Sequence, residues 1–205
     1  MIRSLQQSLV FFGLRTLGVV TKPYETFRAI VDHARYEELG ILALIVAVYF
    51  SVASIVKTSL FRPYLLTKQW IVLMAGFVST FIIVIGLFWC VSALFGRSGK
   101  LKGFVVSWGY TLLPTVVWFW MTSFLYILLP PPRSTNGTGI LFSALYLLIS
   151  ITLLFWKITL SYLALRFGLR LDLAKISLLS AIVLPLLGLY SVLMYRIGVF
   201  RIPFI

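Results

Sequence analysis

Five long apolar stretches dominate the pattern of hydrophobic and polar positions along the chain. Each is close to the about 20 residues that a helix needs to cross a hydrocarbon core of about 30 Å. Strand-like alternation is absent, and backbone in lipid has to satisfy its own hydrogen bonds, which favours helices. The pattern therefore predicts an all-α polytopic integral membrane bundle of five transmembrane helices, over residues 39–56, 71–95, 104–129, 140–165 and 176–195.

The segment before the first span, residues 1–38, has a different pattern. Ile2, Leu5, Leu9 and Phe12 recur at steps of three and four, which predicts an amphipathic helix lying in the membrane interface. A secretory signal is the alternative, but Arg15 interrupts its apolar region and no small-residue cleavage site follows. We therefore favour the interfacial helix.

A second amphipathic helix is predicted to begin at Pro23, because proline suits the first turn of a helix. Phe27 lies on its apolar stripe, while charged residues of both signs occupy the other side. We expect this helix to lie on the cytoplasmic surface and to anchor the first span.

Composition supports a membrane protein and argues against nucleic acid as a partner. Apolar residues make up 61% of the 205 positions and charged residues 11%, too few for a water-facing shell. The net charge is +13, but the bases are spread between apolar runs instead of gathering on one face. We expect them to meet anionic lipid headgroups on the cytoplasmic side.

The distribution of Lys and Arg predicts the orientation. Eleven of them lie on the side that carries the N-terminal segment, the loop after span two and the loop after span four, and six lie on the opposite side. The positive-inside rule then places the N-terminus in the cytoplasm and the C-terminus outside.

Residue types that carry chemistry are scarce. All five acids lie outside the predicted spans, and His33 and Cys90 are the single histidine and cysteine. Proton and cation relays need acids or histidines inside the membrane, and one His with one Cys cannot supply a four-ligand metal site. No Ser-His-acid set lies in a predicted span, and the sequence has no glycine-rich phosphate-binding loop. We expect no enzyme activity, no metal and no cofactor.

Two features inside the spans leave alternatives open. Lys157 is the one charge in a predicted span, and it either snorkels to the cytoplasmic headgroups or contacts a substrate or lipid between helices. We favour snorkelling. Pro114 and Pro185 are predicted to kink spans three and five, which shapes a bundle without implying a ligand.

Short motifs at the ends of the predicted spans carry a family resemblance. They are Pro23-x-x-x-Phe27, then Phe95-Gly96, the turn Gly99-Lys100-Leu101-Lys102-Gly103, and Gly109-Tyr110 leading to Pro114. With the five-span plan, they make the chain resemble the YIP1 domain family over nearly its whole length.

The eukaryotic members of that family associate with Rab-type GTPases in vesicle traffic, and they carry a long N-terminal region with an Asp-Leu-Tyr-Gly-Pro motif. This sequence has neither feature, so the resemblance implies a prokaryotic member, which we expect in the bacterial inner membrane, and Rab binding is not carried over. We expect a non-enzymatic adaptor or scaffold that organises membrane protein partners or lipids, with a membrane protein or a second copy as partner. The alternative is an accessory membrane subunit of a transport complex, such as an ATP-driven exporter.

Overall fold

The computed structural model describes residues 2–57, 63–128 and 137–198. Within these ranges the chain is helical and has no strand. A 3₁₀ turn, Ala93–Phe95, continues the fourth helix. The helices are α1 Ile2–Thr21, α2 Pro23–Asp32, α3 Tyr36–Lys57, α4 Pro63–Ser92, α5 Leu101–Tyr110, α6 Leu113–Leu128, α7 Gly137–Gly168 and α8 Leu173–Arg196.

The predicted fold class is confirmed. Five helical segments are long and apolar enough to span a membrane, and a shorter apolar helix precedes them. The third span is made of α5 and α6 together, and its predicted end at residue 129 lies outside the described residues. The five spans are Tyr36–Ile55, Thr67–Phe95, Leu101–Leu125, Gly139–Gly168 and Leu173–Arg196.

The two N-terminal helices pack across one end of the bundle, which we call the N-terminal face. At this end α3, α5 and α8 begin, and α4 and α7 end. Helix α1 contacts α2 and α3, while α2 contacts α5 and α7. The core immediately beneath them includes Phe12, Phe27, Tyr110 and Leu160, so it joins α1, α2, α5 and α7.

The residues predicted to form the apolar stripes of α1 and α2 coincide only partly with the residues that pack against the bundle. Phe12 is buried, but Leu9 is 52% exposed, and the side chains of Ile2 and Leu5 lie outside the described residues. Helix α1 is apolar around most of its circumference, so periodicity alone did not select the face that meets the bundle. On α2 the prediction is closer, since Phe27 is fully buried.

Span three is interrupted just before Pro114. Helix α5 ends at Tyr110 and α6 begins at Leu113, with tight backbone bonds from Thr111 N to the Trp108 carbonyl and from Leu112 N to the Gly109 carbonyl, each 3.0 Å. Proline cannot donate to the carbonyl four residues earlier, which is the reason the helix breaks here. Helix α8, by contrast, continues through Pro185.

Candidate functional site: a buried polar network under the N-terminal helices

Three polar side chains from three helices meet inside the core beneath α1. Glu38 is 1% exposed and Tyr110 is 2% exposed. Tyr110 Oη donates a hydrogen bond of 2.6 Å to Glu38 Oε2, and Arg15 Nη1 forms an ion pair with Glu38 Oε1. Arg15, Glu38 and Tyr110 are called the buried polar network below.

The network also fastens the connection between α2 and α3. Arg15 Nη2 donates to the carbonyl oxygen of His33 at 3.0 Å, and Ser8 Oγ, also on α1, donates to Glu37 Oε2 at 2.6 Å. Helix α1 is therefore held by charge-assisted hydrogen bonds at two points along its length.

Helical spacing explains why Glu38 is buried. It lies four residues before Leu42, which lies four before Val46, and both of these are buried on α3. Residues four apart share one face of a helix, so Glu38 occupies the inward face of the first turn. Helix α3 begins at Tyr36, and the apolar span includes this first turn.

This position corrects the expectation that every acid lies outside the spans. Glu38 belongs to the first span and is buried there, because Arg15 and Tyr110 supply the partners that a buried carboxylate needs. The sequence carried a signal that was missed. Glu38 continues the inward stripe of α3, and Arg15 lies on the same side of α1 as the buried residues Phe12 and Val19.

The arrangement of the buried polar network is suited to holding α1 against the bundle. Both carboxylate oxygens of Glu38 are engaged, one by a cation and one by a phenol. The ring of Phe12 packs against that of Tyr110 with centroids 5.8 Å apart and covers the phenol from the α1 side. The only ion pair among the described residues is the one between Arg15 and Glu38.

The helices around the network approach one another through glycines. A Cβ on Gly109 would collide with Leu39 Cδ2, and a Cβ on Gly99 would lie 2.8 Å from the carbonyl carbon of Gly168. Gly168 in turn meets Phe104 Cα, which a Cβ would approach to 2.9 Å. These glycines let α3, α5 and α7 come close enough to enclose the network.

The other residues of the sequence motifs lie around this arrangement. Pro23 opens α2, and Phe27, which is fully buried, shares a core with Tyr110. Gly96 ends the 3₁₀ turn after α4 with φ +69°, a conformation that favours glycine, and exposed Lys100 precedes α5. The structure thus gathers Phe27, Gly109 and Tyr110, and it leaves Gly96 and Lys100 at the surface turn.

Lys157 lies on the side of α7 that faces the bundle. Leu160, three residues after Lys157, is fully buried in the core that contains Tyr110. Ser150, seven residues before Lys157, accepts a hydrogen bond of 3.1 Å at its Oγ from Trp118 Nε1. Lys157 lies between these two contacts along α7. It is about 16 Å along α7 from the end at the N-terminal face. Whether its ammonium group reaches the headgroups stays a prediction.

The comparison with protein families decides the identity of the chain. A family model described as the Yip1 domain matches residues 17–195. The chain belongs to the Yip1 domain family. No curated protein and no solved structure shows significant similarity to this Yip1 domain chain.

The matched region relates the family to the network. It includes Glu38, Tyr110 and every motif residue that carried the resemblance. It does not include Ser8 or Arg15, because both precede residue 17. Most of α1 therefore lies before the matched Yip1 domain, and its anchor is supplied by an acid and a phenol within the domain. Among the described residues, no three His, Cys, Asp or Glu side chains lie close enough to hold a metal ion.

Proposed function

We propose that this Yip1 domain protein is a non-enzymatic membrane adaptor that organises membrane protein partners or lipids. The observation that carries the proposal is the buried polar network, which fixes α1 to the bundle and, with α2, makes a platform on the N-terminal face. An adaptor needs a surface that is held in one conformation, and a buried charge pair is suited to that purpose because displacing either partner is costly.

The two outer surfaces of the platform fit a position in the headgroup layer. The outward side of α1 is apolar, with Leu14 and Leu17 each 62% exposed, as expected for a helix that faces acyl chains. The outward side of α2 carries Glu25, Arg28 and Asp32, all exposed, as expected for a helix that faces water. With the excess of basic residues on this side, the proposal includes an N-terminal face in the cytoplasm, against anionic lipid.

The chemistry of the network supports a non-enzymatic role. A general acid or base needs an oxygen that can reach substrate, and both Glu38 oxygens are already engaged by side chains of this protein. The inferred role of the acid is therefore to hold α1, and no cofactor enters the proposal.

Helix α7 favours the alternative, an accessory subunit of a transport complex such as an ATP-driven exporter. It is the longest of the described helices, with 32 residues, and in its most apolar stretch only 6% of the residues are buried within the chain. Phe155 is 66% exposed and Leu148 is 63% exposed on its outer side. This surface is available to lipid or to a neighbouring membrane protein.

Site-specific photocrosslinking of the full chain in its native membrane tests the proposal. A crosslinker that replaces Glu25, an exposed residue of α2, should capture a stoichiometric membrane protein, or a second copy of the chain. Glu38→Ala should abolish that product because it releases α1. Gly86→Ala is the matched control, since a Cβ there meets nothing within 4 Å.

Two outcomes would change the proposal. Capture of an ATPase-bearing subunit from a crosslinker at Phe155, with none from α2, would favour the transport subunit. Gradient-driven uptake or catalytic turnover by the purified chain alone in liposomes would contradict the adaptor function.

A further inference from the structure

A cavity of about 420 Å³ opens between α2 and the end of α7. Its volume falls in the range of about 300–1,000 Å³ that is usual for small-molecule sites. Tyr24 packs edge-on against Phe167 at one wall, with ring centroids 4.8 Å apart, and buried Leu171 lines another part. We call it the arginine cavity, after Arg28, Arg166 and Arg170, which also line it.

The three guanidinium groups of the arginine cavity are available to an anion. None of them forms an ion pair in the described part of the chain, and only Arg166 has a side-chain hydrogen bond, donated to Tyr162 Oη at 2.6 Å. Each guanidinium carries five N–H donors in a planar fork that matches the oxygens of a phosphate group. The cavity therefore offers several donors that the protein does not use itself.

The backbone of Arg170 has a conformation that glycine adopts more easily than a residue with a side chain. Its φ is +56°, the one positive value for a non-glycine residue among those described. Leu169 on one side is fully buried and Leu171 on the other is 3% exposed, so packing holds the backbone in this conformation. An L side chain is disfavoured there, and strain of this kind is concentrated at functional sites.

Two carboxylates line the same cavity and narrow the choice of ligand. Asp32 ends α2 and Asp172 precedes α8, and both are exposed. A simple polyanion would be repelled by them, whereas a ligand with an anionic group and a separate ammonium group satisfies both signs. Arg166 belongs to the last turn of a span, so the cavity opens where the span ends.

We propose that the arginine cavity binds the headgroup of a glycerophospholipid with a primary ammonium group, as in phosphatidylethanolamine. The phosphodiester is held by the arginines, the ammonium group by Asp32 or Asp172, and the glycerol end by Tyr24 and Phe167. This inference deepens the lipid part of the proposed function. Its test reads headgroup binding directly, so it can fail while the capture of a protein partner succeeds.

Native mass spectrometry of the purified full chain, titrated in detergent with defined lipids, tests the assignment. Phosphatidylethanolamine should bind roughly tenfold tighter than phosphatidylcholine, whose quaternary ammonium cannot donate a hydrogen bond. Asp32→Asn with Asp172→Asn should remove that preference. Equal binding of the two lipids by the wild type would overturn the proposal.

Arg170→Gly separates binding from folding. The variant should bind phosphatidylethanolamine roughly tenfold more weakly, because it loses a charged donor, while its thermal midpoint rises because the backbone strain is removed. Lys175→Gln is the matched control, as it removes an exposed base on the same face that does not line the cavity. Unchanged lipid affinity in Arg170→Gly would overturn the site.

Inorganic phosphate distinguishes a lipid from a soluble ligand. Phosphate at concentrations comparable to the lipid should leave phosphatidylethanolamine bound, since it lacks both the ammonium group and the glycerol end. Complete displacement would mean that the cavity takes free phosphate, and the lipid assignment would be wrong.

Discussion

Removal of Arg15 should destabilise the protein more than removal of Arg15 and Glu38 together. In Arg15→Met the Glu38 carboxylate stays in the core with only the Tyr110 hydrogen bond. Loss of one partner of a buried ion pair costs about 3–5 kcal/mol, whereas an apolar replacement of both is often neutral or stabilising. The double variant Arg15→Met with Glu38→Met should therefore lose less stability than Arg15→Met, with a remaining cost of about 1–2 kcal/mol because buried Tyr110 Oη loses its acceptor.

The exposed fractions set where in that range the cost should fall. The Glu38 side chain is 1% exposed, but the Arg15 side chain is 14% exposed, so water already reaches part of the guanidinium. We expect Arg15→Met to cost about 3 kcal/mol, the lower end of the range. Tyr110→Phe removes one hydrogen bond to a charged group and should cost about 1.5–3 kcal/mol.

The assay must separate the loosening of α1 from unfolding of the bundle. Reversible unfolding in mixed micelles of increasing sodium dodecyl sulfate content gives the global free energy through tryptophan fluorescence. Amide hydrogen exchange of α1 gives its local opening, since α1 contains no tryptophan. Protection of α1 should fall in Arg15→Met and return in the double variant.

Lys22→Met is the matched control, because it removes an exposed base next to α1 without touching Glu38. It should change stability by no more than about 0.5 kcal/mol. Additive effects of Arg15→Met and Glu38→Met, with the double variant the least stable, would refute the reasoning that the two charges compensate each other in the core.

Three further predictions concern packing and topology. Gly99→Ala places a methyl group against a backbone carbonyl and should cost about 1–3 kcal/mol in micelle unfolding, whereas Gly86→Ala should be near neutral, and equal effects would contradict the close approach. Phe27→Asp removes a fully buried ring and should cost at least about 3 kcal/mol, with spin labels on α2 becoming mobile, and an unchanged spectrum would exclude anchoring by this helix. Reporter fusions after Lys102 and at the C-terminus should lie on opposite sides of the membrane, and finding both on one side would contradict the orientation.

The sequence by itself determined the all-helical fold class and the number of helices long and apolar enough to span a membrane. Apolar stretches near the length of a bilayer core, with few charges, allow few other structures, because backbone in lipid must bond to itself. Pro114 marked the interruption of span three and Pro23 the start of α2, since proline constrains the backbone locally. The short motifs gave the family for the same reason: they are patterns of neighbouring residues.

The buried polar network could not be predicted from local sequence patterns of this kind. Arg15, Glu38 and Tyr110 are separated by 23 and 72 positions along the chain, and nothing local indicates that they meet. A carboxylate at the edge of an apolar span suggests exposure to headgroups. Its burial depends on a cation from α1 and a phenol from α5, because only those partners offset the cost of desolvation.

The arginine cavity depends on tertiary structure in the same way. Arg28 and Arg170 belong to segments far apart in sequence, and the packing of α2 against the end of α7 brings both to one cavity. Local sequence fixes what each helix is made of and which bonds its backbone forms. Which charges pair between helices depends on which helix faces pack together. These helices are apolar on several faces, so more than one face could pack against a neighbour, and only the assembled bundle selects among them.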